Sequence, residues 1–231
     1  MRYHVLATDY DGTLARDGNV DTSTLDAMKR LLASGRQLLL VTGRELDELL
    51  ARFPEVHLFA LVVAENGAVL YCPATKEEKV LCKPPPAEFV RTLHSRGVAP
   101  LSVGRVIVAT WQPHETTVLD TIRDLGLEMQ VIFNKDAVMV LPSGVNKATG
   151  LSAALTALGY TPQEVAGVGD AENDHAFLGL CGCSAAVANA LPAVKAAVDL
   201  VLQNDHGAGV AELIDQMVAN DLVAVSKRAS K

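Results

Sequence analysis

Asp9 and Asp11 stand one residue apart, directly after the apolar run Tyr3–Ala7 and just before Gly12. Two carboxylates at the end of a buried strand can converge on one cation, and the first can also attack an electrophile. The plainer reading is a strand that ends in an Asp-Gly turn. A calcium loop of the EF-hand kind does not fit, because its fifth and sixth positions counted from Asp9 are Thr13 and Leu14, with no glycine at the sixth.

Three further stretches share this placement. Thr42-Gly43 closes an apolar run from Gln37, Asn146-Lys147 opens a helix, and Asp170 and Asp174 follow the apolar run Val165–Val168. Taken singly, Thr42 reads as a helix N-cap, Lys147 as a solvated first-turn lysine, and Asp170 and Asp174 as an acidic helix start. Parallel strands of a doubly wound sheet point their C-terminal ends to one edge, and ligands bind in the crevice there. That edge would bring all of these side chains together.

The elements that must position them follow from the apolar pattern. Strands are expected at Tyr3–Ala7, Gln37–Thr42 and Ala60–Ala64, with helices from Asp21–Ser23 to about Ser34 and from Glu45 to Phe53. This alternation predicts an α/β fold, a doubly wound parallel sheet of Rossmann-like type. Lys83-Pro84-Pro85-Pro86 then breaks the pattern. A helix over Ala87–Ser95, a strand over Arg105–Trp111, a helix over His114–Leu125 and a hairpin of Glu128–Phe133 with Ala137–Leu141 read as an inserted small α+β cap domain. The expected division is 1–81 and 146–231 for the core and 82–145 for the cap. After the Lys147 helix come the Val165 strand, short strands near Ser184–Ala188 and Leu200–Leu202, and helices starting near Pro192 and Gly209. The tail from Val225 is polar and basic and is expected to fray.

Composition sets bounds on partners. The chain has 231 residues, with 49% hydrophobic and 4% aromatic residues, which suits a parallel sheet whose strands are apolar on both faces. A net charge of −7 argues against nucleic acid and against acidic membrane surfaces. The four cysteines form no C-x-x-C pair and no disulfide framework, and no apolar run reaches membrane-spanning length. Met1 runs straight into the first strand without a signal-peptide pattern. The expectation is a reduced, soluble, cytoplasmic protein of unknown oligomeric state.

The motif set resembles that of the haloacid dehalogenase-like hydrolases. It comprises Asp9-x-Asp11-Gly12-Thr13-Leu14, Thr42-Gly43-Arg44, Lys147 and Gly169-Asp170-x-x-Asn173-Asp174. Order and spacing are similar to the Cof-type branch, whose cap lies between the second and third motifs. Glu65-Asn66-Gly67-Ala68, Val187-Ala188-Asn189-Ala190 with Lys195, and Asn204-Asp205-x-Gly207 are further matches. The modest length resembles the archaeal-type phosphoglycolate phosphatases within that branch. Carbon–halogen cleavers of the superfamily lack the second Asp, so Asp11 favours phosphoryl chemistry.

The resemblance implies a magnesium-dependent phosphatase of a small phosphorylated metabolite. A phosphomonoester dianion repels a carboxylate, and a bridging divalent cation cancels that repulsion. By resemblance, Asp9 becomes the aspartyl phosphate and Asp11 protonates the leaving oxygen and then activates water. Asp9, the backbone carbonyl of Asp11, Asp170 and Asp174 would hold Mg2+, Asp174 directly or through water. Lys147 would neutralise phosphate charge, Thr42 and the amides of Gly43 and Asp11 would hold phosphate oxygens, and Asn173 would orient the site. Asn66 and Asn189 either back up the site or only form turns. A phosphomutase on the same fold and a non-catalytic phospholigand sensor are the alternatives. Within the cap, Arg91, Arg96, Arg105, His114, Arg123 and Lys135 are the basic candidates for reading the leaving group, each more simply a solvated charge. Trp111, the only tryptophan, reads as cap packing.

Overall fold

The computed structural model describes residues 1–225; the basic tail beyond that point lies outside the described residues. Four short apolar segments build the centre of the molecule. β1 (Val5–Thr8), β2 (Gln37–Val41) and β3 (Leu61–Ala64) pair in parallel on one side, and β1 also pairs in parallel with the strand Val165–Gly169. β1 and β3 are buried along their whole lengths, as strands covered on both faces must be. The helix α1 (Thr22–Ala33) starts at Asp21, whose side chain accepts the Thr24 amide at 2.7 Å, and the chain turns at Gly35 with φ +85°. α2 (Leu46–Arg52) returns the chain toward β3.

Two strands that periodicity did not announce follow. β4 (Val69–Cys72) adds antiparallel to β3, and β5 (Glu77–Val80) adds antiparallel to β4. β5 has no apolar face, and all four of its residues are exposed. A charged edge strand of this kind carries no hydrophobic signal and blunts the sheet edge.

The chain then leaves the first sheet. α3 (Ala87–Ser95), β6 (Ser102–Val103), β7 (Val108–Trp111), α4 (Glu115–Asp124), β8 (Met129–Asn134) and β9 (Ala137–Pro142) form a second unit around an antiparallel sheet in the order β6-β7-β9-β8. The expected strand from Arg105 begins only at Val108, because the amides of 105–107 are bonded elsewhere, as described below. Alternation along β9 divides its side chains between two cores. Val138 and Val140 pack with Phe89, Leu93, Val118 and Ile122 under α3 and α4, whereas Met139 and Leu141 join the core of the first sheet. The small sheet therefore uses one face for its own helices and turns the other toward the large sheet.

α5 (Lys147–Leu158) brings the chain back, capped by Asn146, whose side chain accepts the amides of Ala148 and Thr149. It packs closely on the sheet: a Cβ at Gly150 would meet Val63 Cγ1 at 2.5 Å. β10 (Val165–Gly169), α6 (His175–Leu180), β11 (Cys183–Ala186), α7 (Pro192–Ala197), β12 (Leu200–Val201) and α8 (His206–Asn220) complete the first sheet. Its order is β12-β11-β10-β1-β2-β3-β4-β5. The chain winds outward from β1 through β2 to β3, then restarts at β10 on the other side of β1. The topological switch point, where such sheets bind ligands, lies between β1 and β10.

Candidate active site

The switch point explains why two distant Asp-rich segments meet. Asp9 ends β1, Asp170 ends β10, and the two strands are neighbours in register. The short 3-10 turn Glu172–Asp174 folds Asp174 back, so that its Oδ2 accepts the amides of Asp170 at 2.8 Å and Ala171 at 3.0 Å. Carboxylate oxygens of Asp9, Asp170 and Asp174 lie within 4.8 Å of one another, and all three residues are buried.

Lys147 reaches this cluster from the first turn of α5. Its Nζ donates to Asp9 Oδ1 and to Asp174 Oδ1, each at 2.6 Å, and the residue is 0% exposed. The solvated lysine suggested by position alone is thus a buried one. Burial works against its charge, but Asp174 and Asp9 outweigh that and push its pKa up. Burial raises the pKa of Asp9 well above the usual carboxylate range; Lys147 opposes this, while Asp174 and Asp170 add to it. Asp170 is raised as well, by burial and by Asp174, against the pull of Lys135 and of Thr13, whose hydroxyl donates to Oδ1 at 2.9 Å. Three buried carboxylates facing two lysines, Lys147 and Lys135, outnumber the cations beside them. An all-oxygen donor set under that strain fits a hard divalent cation.

The second carboxylate of the opening motif points elsewhere. Asp11 is gripped by Arg44, with Nε to Oδ2 and Nη2 to Oδ1 both at 2.7 Å, and Arg44 also donates to Glu48 at 2.6 Å. Thr42 is fully buried at the end of β2 and accepts the Arg44 amide at 3.1 Å. Gly43 lies beside Asn173 and Met139, which would stand 3.6 Å and 3.4 Å from a Cβ there. Asn173 donates to Asn66 Oδ1 at 3.0 Å, leaving Asn66 Nδ2 and Asn173 Oδ1 buried without a partner. Asn189 holds the opening loop, donating to the Gly12 carbonyl at 2.7 Å and accepting the His206 amide at 2.8 Å.

Above this floor lies a cavity of about 490 Å³ whose roof is the second unit. Pro100, Ser102, Ala109, Trp111, Lys135 and Met139 line it opposite Asp9, Asp11, Gly43 and Arg44. Trp111 does not pack inside the second unit; it stands 53% exposed on the cavity-facing side of β7. Of the basic residues in that unit, Lys135 alone lines the cavity, and its Nζ donates to Asp170 Oδ2 at 3.0 Å. Arg96 pairs with Asp124, Arg123 with Asp120, and His114 meets the Ala99 carbonyl. Arg105 binds back to Asp47 on α2 and to Glu78 on β5.

Glu65 has a place that its local sequence does not betray. It is fully buried, and its carboxylate accepts three successive amides, those of Arg105 at 2.8 Å, Val106 at 2.7 Å and Ile107 at 3.0 Å. A Cβ at Gly104 would come within 2.6 Å of its carboxyl carbon. The left-handed backbone of Glu65 and Asn66, with φ +50° and +54°, aims one side chain at this strap and the other at Asn173. The motif Glu65-Asn66-Gly67 was visible in the sequence, but nothing local linked it to residues 40 positions on.

A mixed sheet with its carboxylates and lysine at the switch point, roofed by a small α+β unit, defines a doubly wound α/β protein with a capped acidic site. The haloacid dehalogenase-like hydrolase family matches residues 6–96 and 108–214. A phosphoglycolate phosphatase of Methanothermobacter thermautotrophicus is 30% identical over 218 residues, spanning 90% of this chain and 96% of its own. One from Natronomonas pharaonis is 31% identical, over 91% of this chain and 96% of its own. In fold, the chain is similar to a HAD/COF-like hydrolase from Plasmodium vivax, with a TM-score of 0.79 and 20% identity over 94% of this chain and 95% of that one. The chain belongs to the haloacid dehalogenase-like hydrolases. It is an enzyme, a phosphatase of that family. No helix among the described residues is long and apolar enough to cross a membrane.

Proposed function

We propose that the protein is a magnesium-dependent phosphatase of a small phosphorylated metabolite of the phosphoglycolate or sugar phosphate type, working through an aspartyl phosphate on Asp9. The observation that carries this reading is the Lys147 ammonium seated between Asp9 and Asp174, 2.6 Å from each, beside Asp170 and beneath a roofed cavity. Mere binding of a phosphate does not call for a buried, lysine-restrained carboxylate aimed at it. The phosphoglycolate phosphatases among the relatives support the substrate class.

In this mechanism Asp9, the Asp11 carbonyl, Asp170 and Asp174 would hold Mg2+. When bound, the ion supplies positive charge that lets the phosphoryl group approach a carboxylate and orients it in line. Lys147 holds Asp9 by one oxygen and opposes the rise in its pKa that burial causes. Thr42 and the amides of Gly43 and Asp11 receive phosphate oxygens, and Asn66 Nδ2, buried without a partner near Gly43, is a further donor available there. Asp11 hands a proton to the leaving oxygen and takes one from the attacking water. For this its carboxylate must leave Arg44, which in turn frees a guanidinium at the cavity wall. The segment 82–145 acts as the cap that closes over the site, excludes bulk water during phosphoryl transfer and reads the leaving group. The charge of −7 supports an enzyme without nucleic-acid or acidic-membrane partners, and a cytoplasmic location accords with a phosphorylated-metabolite substrate.

Release of inorganic phosphate from p-nitrophenyl phosphate and from 2-phosphoglycolate, with EDTA and with added magnesium, tests the reading. Activity should vanish in EDTA, return with magnesium and fall roughly 1,000-fold or more in Asp9→Asn. Full activity in chelated protein, or in the Asp9 variant, would refute it. Transfer of the phosphoryl group to a second sugar site instead of to water would identify a mutase.

A further inference from the structure

We infer that Lys135 is the residue by which the roof recognises an anionic leaving group, a carboxylate one carbon from the ester oxygen. This rests on the phosphatase reading above and names what that reading leaves open. The first observation is position. Lys135 sits at the tip of the β8–β9 hairpin, in left-handed backbone with φ +54°, where Asn134 pairs with Ala137 across the turn. The tip is docked on the floor rather than hanging in solvent: the Lys135 amide approaches Glu172 Oε2 at 3.4 Å and Nζ bonds Asp170 at 3.0 Å. Nζ would stand 2.9 Å from a Cβ on Gly12, which places the ammonium directly beside the Asp9–Asp11 loop.

The second observation is charge. Of the residues lining the cavity, five are acidic, namely Asp9, Asp11, Glu45, Glu48 and Asp136, and two are cationic, Arg44 and Lys135. A carboxylate entering this space meets repulsion on most sides. Arg44 serves Asp11 through two bonds and Glu48 through a third, and the guanidinium that Asp11 releases belongs to the floor, beside Glu48, and not to the roof. Lys135 carries three donors and spends one on Asp170, and its side chain is 52% exposed toward the cavity. It is the cation in the roof with capacity to receive a second anion near the phosphate. A sugar hydroxyl gains little from that ammonium, whereas a carboxylate among these acids gains a charge-assisted partner from it. Trp111 and Met139 add roof surface that carries no charge.

The experiment compares 2-phosphoglycolate with its neutral amide, 2-phosphoglycolamide, which keeps the size and the ester. Wild-type enzyme should favour the carboxylate in kcat/KM by roughly 10- to 100-fold, the worth of one hydrogen bond to a charged group. In Lys135→Gln that preference should collapse toward unity, through KM for phosphoglycolate more than through kcat, and Lys135→Arg should keep a good part of it. Equal losses for both substrates in Lys135→Gln would show that the lysine serves the Asp170 cluster, and would overturn the proposal. A wild-type enzyme that hydrolyses p-nitrophenyl phosphate but does not distinguish glycolate from glycolamide would overturn it too, leaving the phosphatase reading intact. No turnover of p-nitrophenyl phosphate by the magnesium-loaded enzyme would remove both. Thermal melts of the two variants, expected within a few degrees of the parent, confirm that the comparison is made on folded protein.

Discussion

Lys147 and Lys135 reach the same carboxylate cluster from opposite sides, and they do so under different constraints. Lys147 comes from the floor, fully buried, with a 2.6 Å bond to each of two aspartates. Lys135 comes from the roof, half exposed, with one bond at 3.0 Å to Asp170. A buried lysine between two carboxylates has no alternative arrangement, because moving it leaves unpaired charge out of water. A half-exposed lysine keeps part of its hydration when it turns to a ligand, although its partner Asp170 is buried and is then left with the Thr13 hydroxyl. The floor is therefore built to hold one geometry through every turnover. The roof is built so that its contacts can be traded. Chemistry common to many substrates belongs to the first kind of site, and discrimination among substrates to the second.

The sharpest way to break this comparison is at Lys147. Lys147→Met keeps the length and removes the charge, leaving Asp9 and Asp174 facing each other in the interior. Turnover should be lost, and stability measured by urea unfolding in EDTA should fall by about 3–5 kcal/mol. A loss below about 1 kcal/mol would mean that the floor relaxes as readily as the roof does.

Asp11 lies between the two regions, on the floor but bonded to Arg44 at the cavity wall. If its carboxylate gives a proton to the leaving oxygen, Asp11→Asn should slow the burst of alcohol release from an alkyl phosphate by roughly 100- to 10,000-fold. The burst from p-nitrophenyl phosphate should slow far less, since its leaving group needs little protonation. Equal slowing of both bursts would reassign Asp11 to holding Arg44 and the loop.

Glu65 joins floor to roof. Glu65→Gln exchanges a carboxylate that accepts three amides for a group whose nitrogen must face one of them, so stability should drop by about 2–3 kcal/mol. Because the strap of 105–107 leads into the roof, phosphoglycolate turnover should suffer more than that of p-nitrophenyl phosphate. A stability loss with no such difference would make the clamp purely architectural. The smallest effect is expected at Trp111. Trp111→Ala removes an exposed ring on the cavity face, so unfolding free energy should stay within about 0.5 kcal/mol of the parent while KM shifts a few-fold. A larger destabilisation would restore the ring to a packing role.

These contrasts follow how much each region shows in its sequence. Asp9, Asp170 and Asp174 could be placed together from sequence because they end or follow apolar strand segments, and a parallel sheet sends such ends to one edge whatever else the chain does. Lys147 joined them through its position at a helix start and through the family motif. The α/β alternation was equally plain, since buried strands are continuous apolar runs. Three things were decided only in three dimensions. β5 has no apolar face, so no periodicity marks it. Trp111 and Met139 belong to the cavity because of the face on which β7 and β9 present them, and alternation does not say which face meets its own helices and which meets another sheet. Glu65 and Lys135 act on partners 40 and 35 residues away, through bonds whose existence depends on how two separately built units dock. A lysine at a hairpin tip and a glutamate in a turn look the same in sequence whether they face water or a ligand. The local code sets residue type and spacing, while burial and the choice of partner arise from packing.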